Sequence, residues 1–540
     1  MRTSTPTADV GEPRHVRGDR LMQAAVVVVA VVVLFAAIAV RLRLAGIPLE
    51  RDEGEYAYIA QRLLVGEAPF VGSYTMKFPG VALLDAVVFA LVGHSAVAVR
   101  LGLLVVNVVA VAGTAHFVRR ALGAVPALVA AAVCASVLVN MGVQGLFAHA
   151  THAVVACVVV GANLLAHSLR RQRLALLVVA GAAFGAAVLM KQHAALFLPG
   201  ALLMIGRSEL DRRRQVTGIA VFMAGAAVPI VVVVAWLSLH GALAACWFWT
   251  VTQARAYTSL SSTSSGASHL LKAIRYMAPT MWSLWLLAAV GFVVAVIVGR
   301  RRHAARAWWV PMTTAVVLSF LATCPGLFFR PHYFVVTAPA LAVCAAVFVN
   351  LSLALSSTLR VLAAGLTCVA LLAPWVAQRQ LLTAPVSAIA NVVDGDGTFS
   401  AAVAMAAALK AGRLDADDTG TIAVFGSEPE LLFLAQRRSA TGYLYMYPLM
   451  EPHPHAGAMQ QQLINEVSTA APQDVVVVVT PLSWLQRRES PTQLHTWLDA
   501  WLDAQYDLVG VIDLDHVDHG VVEPPPQAPQ RFMAHYVRHR

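Results

Sequence analysis

The sequence predicts an α-helical polytopic membrane protein: about 11 transmembrane helices plus a re-entrant or interfacial helix, followed by a C-terminal extracytoplasmic α/β domain. Three observations carry this. Of the 540 residues, 59% are hydrophobic and 13% charged, too apolar for an ordinary soluble chain. Apolar runs recur at a length of about 18–20 residues, enough to cross a hydrocarbon core. After Ala377 those runs stop, and short β-branched stretches begin to alternate with amphipathic ones.

Charge and cysteine content narrow the class. The net charge of +10 sits largely in arginine clusters between apolar runs. That is the positive-inside pattern and not a groove for nucleic acid. Cys134, Cys157, Cys246, Cys324, Cys344 and Cys368 lie singly, without CxxC spacing, so neither a zinc site nor a disulfide framework is indicated. Arg14, Arg17 and Arg20 precede Ala24–Val40, and Ala37-Ile38-Ala39 mimics a signal-peptidase site. The apolar run is longer than a signal h-region, and it reads as an uncleaved first span.

In chain order, residues 1–23 form a cytoplasmic basic tail and residues 24–377 a transmembrane domain. Ala24–Val40 goes out to a first outer loop, residues 41–100. Leu101–Val118 returns to Arg119 and Arg120, Ala121–Val139 goes out, and Ala153–His167 returns to Arg170, Arg171 and Arg173. Leu174–Met190 goes out to Lys191-Gln192-His193, and the short Ala194–Ile205 returns to Arg207, Arg212, Arg213 and Arg214. Val216–Leu239 leads to a longer outer loop, His240–Ala278, and Thr280–Val298 returns to Arg300, Arg301, Arg302 and Arg306. Ala307–Leu321 goes out, His332–Val349 returns, and Leu359–Val376 goes out. The odd count leaves residues 378–540 outside. The inner loops hold the arginine clusters, whereas the outer loop Asn140–Thr151 holds none. The first outer loop breaks the rule with Arg41, Arg43, Arg51, Arg62, Lys77 and Arg100, nearly balanced by its carboxylates.

Val81–Val92 is short for a crossing and contains Asp85, so it reads as a helix that dips into or lies on the outer leaflet. Beyond Ala377, Thr421–Phe425, Asp474–Thr480 and Leu508–Ile512 read as strands. Glu430–Gln436 and Pro491–Ala504 read as helices between them. Ser427 followed by Glu430 has capping-box spacing. Pro524–Pro529 and the basic end, Arg531–Arg540, read as an irregular tail.

Chemistry gathers in Leu49–Gly80, LERDEGEYAYIAQRLLVGEAPFVGSYTMKFPG, a polar loop between apolar segments. Glu50, Asp52, Glu53 and Glu55 open it, and Lys77 follows just before Phe78-Pro79-Gly80. A carboxylate pair and a lysine at one membrane face suit a reaction in which a hydroxyl loses a proton and a phosphate departs. Taken singly, each of these residues equally suits a solvated loop that marks topology.

The order of these features resembles the GT-C glycosyltransferases, more narrowly the branch holding protein O-mannosyltransferases and the aminoarabinose transferase of lipid A. The matching residues are Arg51-Asp52-Glu53-Gly54-Glu55-Tyr56 with Ile59-Ala60, then Gly66, Tyr74 and Lys77-Phe78-Pro79-Gly80. Met190-Lys191-Gln192 and Arg330-Pro331-His332-Tyr333-Phe334 follow. The resemblance covers roughly residues 40–353, and weakly the outer domain. It implies inverting transfer of a sugar from a polyprenyl-phosphate donor to a hydroxyl of a glycan, lipid, cell-wall polymer or protein, at the outer face of the cytoplasmic membrane.

On that reading the acceptor hydroxyl needs a base, and Asp52 matches the family's loop aspartate. Glu53 is the second choice, or orients a cation or the sugar. On an extended segment the two would face opposite ways, so only one reaches the reacting centre. Lys77, by its match to the family's lysine before proline, is the first candidate for a phosphate clamp that Lys191 and Arg330 complete, although these two, at span ends, equally suit snorkelling to headgroups. Arg51, Glu55, Tyr56, Tyr74, Gln192, His332 and Tyr333 are candidate substrate contacts, Tyr333 equally an interfacial anchor.

One departure stands out. Many relatives carry a second acidic residue at the outer start of a later span, but Gln144–His152 here has no carboxylate; His149 or His152 substitutes, or the helper is absent. The first outer loop also lacks a DxD motif. A lipid-phosphate donor does not demand a metal, so neither metal nor other cofactor is expected, and the partners are the lipid-linked donor, membrane lipids and the acceptor. The alternative is a polyprenyl-linked sugar flippase without transferase chemistry. Transporters often show paired internal repeats, and none is evident here.

Overall fold

The computed structural model describes residues 14–259, 262–301, 303–412, 420–525 and 527–539. The first 13 residues of the basic tail lie outside this set, as do Arg302, Pro526 and Arg540 of the expected inner loop and C-terminal tail.

Every expected span is helical. Among the described residues, seven helices have the length and apolarity to cross a membrane unaided: Leu21–Arg43, Ala96–Leu122, Ala150–Arg171, Arg212–Leu239, Thr263–Val298, Pro331–Ser352 and Ser357–Ala377. Four further expected crossings fall on shorter apolar helices: Ala124–Leu138, Leu176–Met190, Gln192–Gly206 and Val310–Leu321. Gly80–Val92 is a helix of 13 residues. Small residues allow close approach within the bundle. A Cβ on Gly181 or Gly185 would lie 2.0–2.1 Å from the carbonyl oxygens of Phe222 or Ala226 on the neighbouring helix. At one end of the bundle, Arg120 meets His167 and Arg214 meets Gln172, so the arginine-rich connections share a side.

Two cations of the first loop that break the charge rule are buried framework groups. Arg41 donates to the carbonyls of Leu138 (2.7 Å) and Leu146 (2.8 Å). Arg100 donates to Leu146 O (2.8 Å) and pairs with Glu53 (2.7 Å). Together they satisfy backbone acceptors of the turn that leads into Ala150–Arg171, which would otherwise be buried unpaired.

Three expectations of irregular structure need correction. The polar loop is not extended at its start: Arg51–Leu64 is a helix with a capping box, in which Glu50 accepts from Asp52 N and Glu53 accepts from Glu50 N. Carboxylates in its first turn also suit the helix dipole. The region His240–Ala278 is largely helical, through Leu243–Trp247, a wider-wound turn over Phe248–Gln253, Ala254–Thr258 and the long helix that begins at Thr263. The C-terminal end is not irregular, since Phe532–Arg538 is a strand.

The C-terminal sheet comprises β1 (Thr421–Phe425), β2 (Arg438–Ser439), β3 (Asp474–Val479), β4 (Tyr506–Asp513) and β5 (Phe532–Arg538). Their order is β2-β1-β3-β5-β4; β1 is parallel to β2 and β3, while β5 runs antiparallel between β3 and β4. The expected helices appear as Pro429–Ala435 and Gln493–Gln505. Two more, Val386–Asp394 and Thr398–Ala411, precede the sheet and bend at 111°. The Ser427–Glu430 capping box does not form; Ser427 Oγ donates instead to Ser483 O.

The sheet domain sits on the acidic helix. One apolar cluster joins Ala57, Tyr58 and Ala60 to Phe89, to Met405 and to Leu431 and Phe433. Approach is so close at Gly54 that a Cβ there would lie 2.4 Å from Glu430 N. Arg51 spans the same seam to Glu428 at 3.0 Å.

Candidate active site

The cavity below the sheet domain has a volume of about 440 Å³ and is lined by Asp52, Glu55, Tyr74, Lys77, Lys191, Gln192, Arg330, His332 and Tyr333 among the residues singled out from the sequence. Segments more than 250 residues apart thus converge on one space.

The acidic helix decides which carboxylates enter it. Residues three and four apart share a helix face, so Asp52, Glu55 and Tyr56 meet Lys77 together. Lys77 Nζ lies 2.6 Å from Asp52 Oδ1, contacts Glu55, and sits 4.6 Å from the centre of the Tyr56 ring. Glu53 points elsewhere. It is fully buried, paired with Arg100, and accepts from Ala148 N. Arg51, Glu53 and Tyr56 do not line the cavity; the first two hold the helix to its neighbours.

Lys77 is placed by its own loop. Its N–H donates to Thr75 Oγ1 at 3.1 Å, and Gln192 Nε2 donates to Met76 O at 2.8 Å, tying this loop to Lys191. Gly80 is required by packing, since a Cβ would lie 2.5 Å from Leu189 O. Lys191 Nζ rests 4.3 Å from the Tyr333 ring centre, and Arg330 donates to Tyr257 Oη at 3.0 Å. Neither cation has a carboxylate partner among the described residues.

Electrostatics divide the groups. Burial pushes Asp52 upward, but the Lys77 ammonium and the His149 ring more than offset this and hold it well below the usual carboxylate range. Burial raises Glu55, despite Lys77. Burial lowers Lys77, but the charges of Asp52 and Glu55 win, and it stays firmly protonated. Lys191 is depressed to about 7 by burial, with Asp52 opposing and Lys77 and Arg330 reinforcing.

His149, named from the sequence as a stand-in for the missing acid, lies beside Asp52. Its Nδ1 is 3.5 Å from Asp52 Oδ2, and its ring stacks on His332 with centroids 4.0 Å apart. His152 does not join them; it bonds Asn107 inside the bundle. Asp52, His149 and His332 offer ligand atoms within 4.8 Å of one another, the set among the described residues that could hold a metal ion.

Sequence reasoning missed the far wall. Trp249, Tyr443, Tyr445 and Tyr447 line the cavity, three of them from the sheet domain. Tyr74 stacks on Trp249 at 5.3 Å and donates to Glu466 at 2.7 Å. The available signal was three tyrosines at alternate positions in Tyr443-Leu444-Tyr445-Met446-Tyr447, in a segment flanked by no apolar span.

The architecture is thus a polytopic helical bundle capped by a sheet domain, with Asp52, Glu55, Lys77, Lys191, Arg255 and Arg330 lining one cavity between them. Residues 76–238 match the family model described as dolichyl-phosphate-mannose-protein mannosyltransferase. Two crystal structures of ArnT from Cupriavidus metallidurans share the fold, one in the apo state and one bound to undecaprenyl phosphate. They align with TM-scores of 0.57 and 0.56 at 16% identity, covering 94% of this chain and 97% of theirs. An Archaeoglobus fulgidus oligosaccharyltransferase tethered to an acceptor peptide aligns with a TM-score of 0.49 at 13% identity, covering 93% of this chain and 74% of that one. No curated protein matches the chain in sequence. The fold is thus that of the ArnT structures, and residues 76–238 match the mannosyltransferase family model.

Proposed function

We propose that the chain is an inverting glycosyltransferase of the O-mannosyltransferase and aminoarabinose-transferase-like branch. It moves a sugar from a polyprenyl-phosphate donor to a hydroxyl of a glycan, lipid, cell-wall polymer or protein. The reaction takes place at the outer face of the cytoplasmic membrane, with the N-terminus cytoplasmic and the sheet domain outside. The observation that carries this is the convergence of Asp52, held ionised, with Lys77, Lys191 and Arg330 around one cavity. Binding of undecaprenyl phosphate by the ArnT of the same fold supports the donor class.

The step balances within these groups. The acceptor oxygen forms its bond to C1 of the sugar while Asp52 takes the hydroxyl proton. The bond from C1 to the phosphate oxygen breaks, and its electron pair leaves with the polyprenyl phosphate. Charge gathering on that phosphate is met by the cations, whose effect is greatest where water is scarce. Attack opposite the leaving group inverts C1.

Those cations supply the positive charge a metal would otherwise bring, so transfer is proposed to be metal-independent. Loss of transfer in chelator with recovery on adding a divalent ion would instead assign Asp52, His149 and His332 as a metal site.

The deciding experiment uses purified protein and radiolabelled polyprenyl-phosphate mannose, with a membrane extract as acceptor source. Wild type transfers label; Asp52→Asn binds donor and transfers about 10²- to 10⁴-fold more slowly. Labelled lipid crossing liposome bilayers with no sugar transferred would replace the transferase with the flippase.

A further inference from the structure

We infer that the C-terminal α/β domain is part of the catalytic apparatus, and that Tyr445 is the positioning residue through which it acts. Tyr445 orients Asp52 so that Oδ2 is the oxygen presented to the acceptor hydroxyl. This rests on the transferase reading and assigns the domain a role within it.

The two oxygens of Asp52 are not equivalent. Oδ1 receives Lys77 Nζ at 2.6 Å and the Tyr445 hydroxyl at 3.3 Å. Oδ2 faces His149 Nδ1 at 3.5 Å, too long for a strong bond. An oxygen already accepting from an ammonium and a phenol is a poor base, whereas Oδ2 keeps its lone pairs for an incoming proton. The Tyr445 contact is long for a hydroxyl–carboxylate bond, as hydrogen bonds in unliganded sites often are before substrate tightens them. The same ring lies 5.4 Å from Lys77 Nζ, within cation–π range. One side chain therefore touches both the base and the first cation.

Tyr445 can serve this purpose because its backbone is fixed on both sides while its side chain faces the cavity. Leu444 and Met446 are buried, and Met446 N donates to Ser427 Oγ at 3.0 Å. The strand edge just before it is tied to the membrane part: Tyr74 N donates to Gly442 O at 2.6 Å, and Ser439 N donates to Tyr58 Oη at 2.8 Å. A shift of the domain would thus be felt at Asp52.

The test compares Tyr445→Phe and Tyr445→Leu with wild type in the full chain. It measures kcat with polyprenyl-phosphate mannose and a membrane extract, Kd for polyprenyl phosphate, and thermal stability. Removing the hydroxyl alone is expected to lower kcat about 10- to 100-fold, the size of one hydrogen bond to a charged group. The Kd should stay within about twofold, because the ring over Lys77 remains. Tyr445→Leu removes the ring as well, and should weaken polyprenyl phosphate binding in addition to lowering kcat. Wild-type kcat in Tyr445→Phe overturns the positioning role and leaves the transferase intact. So does a fall in kcat matched by an equal loss of affinity or by lost stability, which assigns Tyr445 to packing. A wild type that transfers no sugar overturns the transferase reading and this role with it.

Discussion

Lys77 Nζ and Asp52 Oδ1 lie 2.6 Å apart, so the proposed leaving-group cation and the proposed base neutralise each other in the unliganded cavity. Donor phosphate would compete for Lys77, releasing Asp52 toward the acceptor as the complex assembles. Lys77→Ala is therefore expected to act twice. Loss of the cation should lower kcat about 10²- to 10³-fold. The pH profile should move as well, because Lys77 is the largest of the influences that hold Asp52 below the usual carboxylate range against burial, ahead of His149. Without it the Asp52 pKa rises, more of the carboxylate is protonated at a given pH, and the acid limb of residual kcat shifts upward. A limb that stays in place would show that Asp52 is not the titrating base.

Glu53 stands beside Asp52 in sequence yet serves the frame. It is fully buried against Arg100 at 2.7 Å and also caps its own helix. Removing one partner of such a pair leaves an uncompensated charge, at a cost of about 3–5 kcal/mol. Glu53→Gln should lower the unfolding midpoint markedly, while kcat per folded molecule stays within a few-fold of wild type. A stable Glu53→Gln protein with kcat reduced as far as in Asp52→Asn would return Glu53 to the reacting centre.

Gly54 marks the seam where the acidic helix meets the sheet domain. A Cβ there would meet Glu430 N at 2.4 Å, which is backbone and cannot move aside cheaply. Gly54→Ala should cost about 1–3 kcal/mol by overpacking, and should speed protease cleavage between the membrane helices and β1. Thermal unfolding and limited proteolysis read the two effects. Unchanged stability would mean that the seam gives way freely, contrary to its close fit.

The sequence made the membrane helices legible because length and apolarity alone specify a span, whatever its neighbours. Ala121–Val139 and Leu174–Met190 were readable even though their helices are short, since an arginine cluster bounds one end of each pair. The acidic helix was harder. Glu50 and Glu53 carry capping-box spacing, but glutamate is an uncommon N-cap, and the dense charge reads as a loop. Strand β5 was concealed by its basic residues, which are tolerated because His535 pairs with Asp474. Lys77 was legible by its resemblance to the family's lysine before proline, and Lys191 and Arg330 as cations at span ends; the alternating tyrosines around Tyr445 do not announce its contact with Asp52, which spans 393 positions and exists only through domain docking.

On the proposed reading, Lys191 is expected to make donor binding sensitive to pH. Its ammonium is depressed to about 7 by burial, with Lys77 and Arg330 adding repulsion, Asp52 and Glu50 opposing them, and the Tyr333 ring beneath it. The phosphate link of a polyprenyl-phosphate sugar is a diester whose single charge does not change in this range, so the pH response belongs to the protein. Below 7 Lys191 is charged and ready; above 7 binding must first recruit a proton. The Kd for donor should therefore rise with pH above 7, by at most about tenfold per unit for one proton taken up. Glu50, raised to about 7 by burial and by Asp52, gains negative charge over the same interval and acts in the same direction. Two variants separate the contributions. Lys191→Arg keeps its charge throughout and should flatten the profile down to the Glu50 part, and Glu50→Gln should leave only the Lys191 part. Titration of donor binding between pH 6 and 9 decides the matter: a flat wild-type Kd would remove Lys191 from the phosphate clamp and leave Lys77 and Arg330 to hold it.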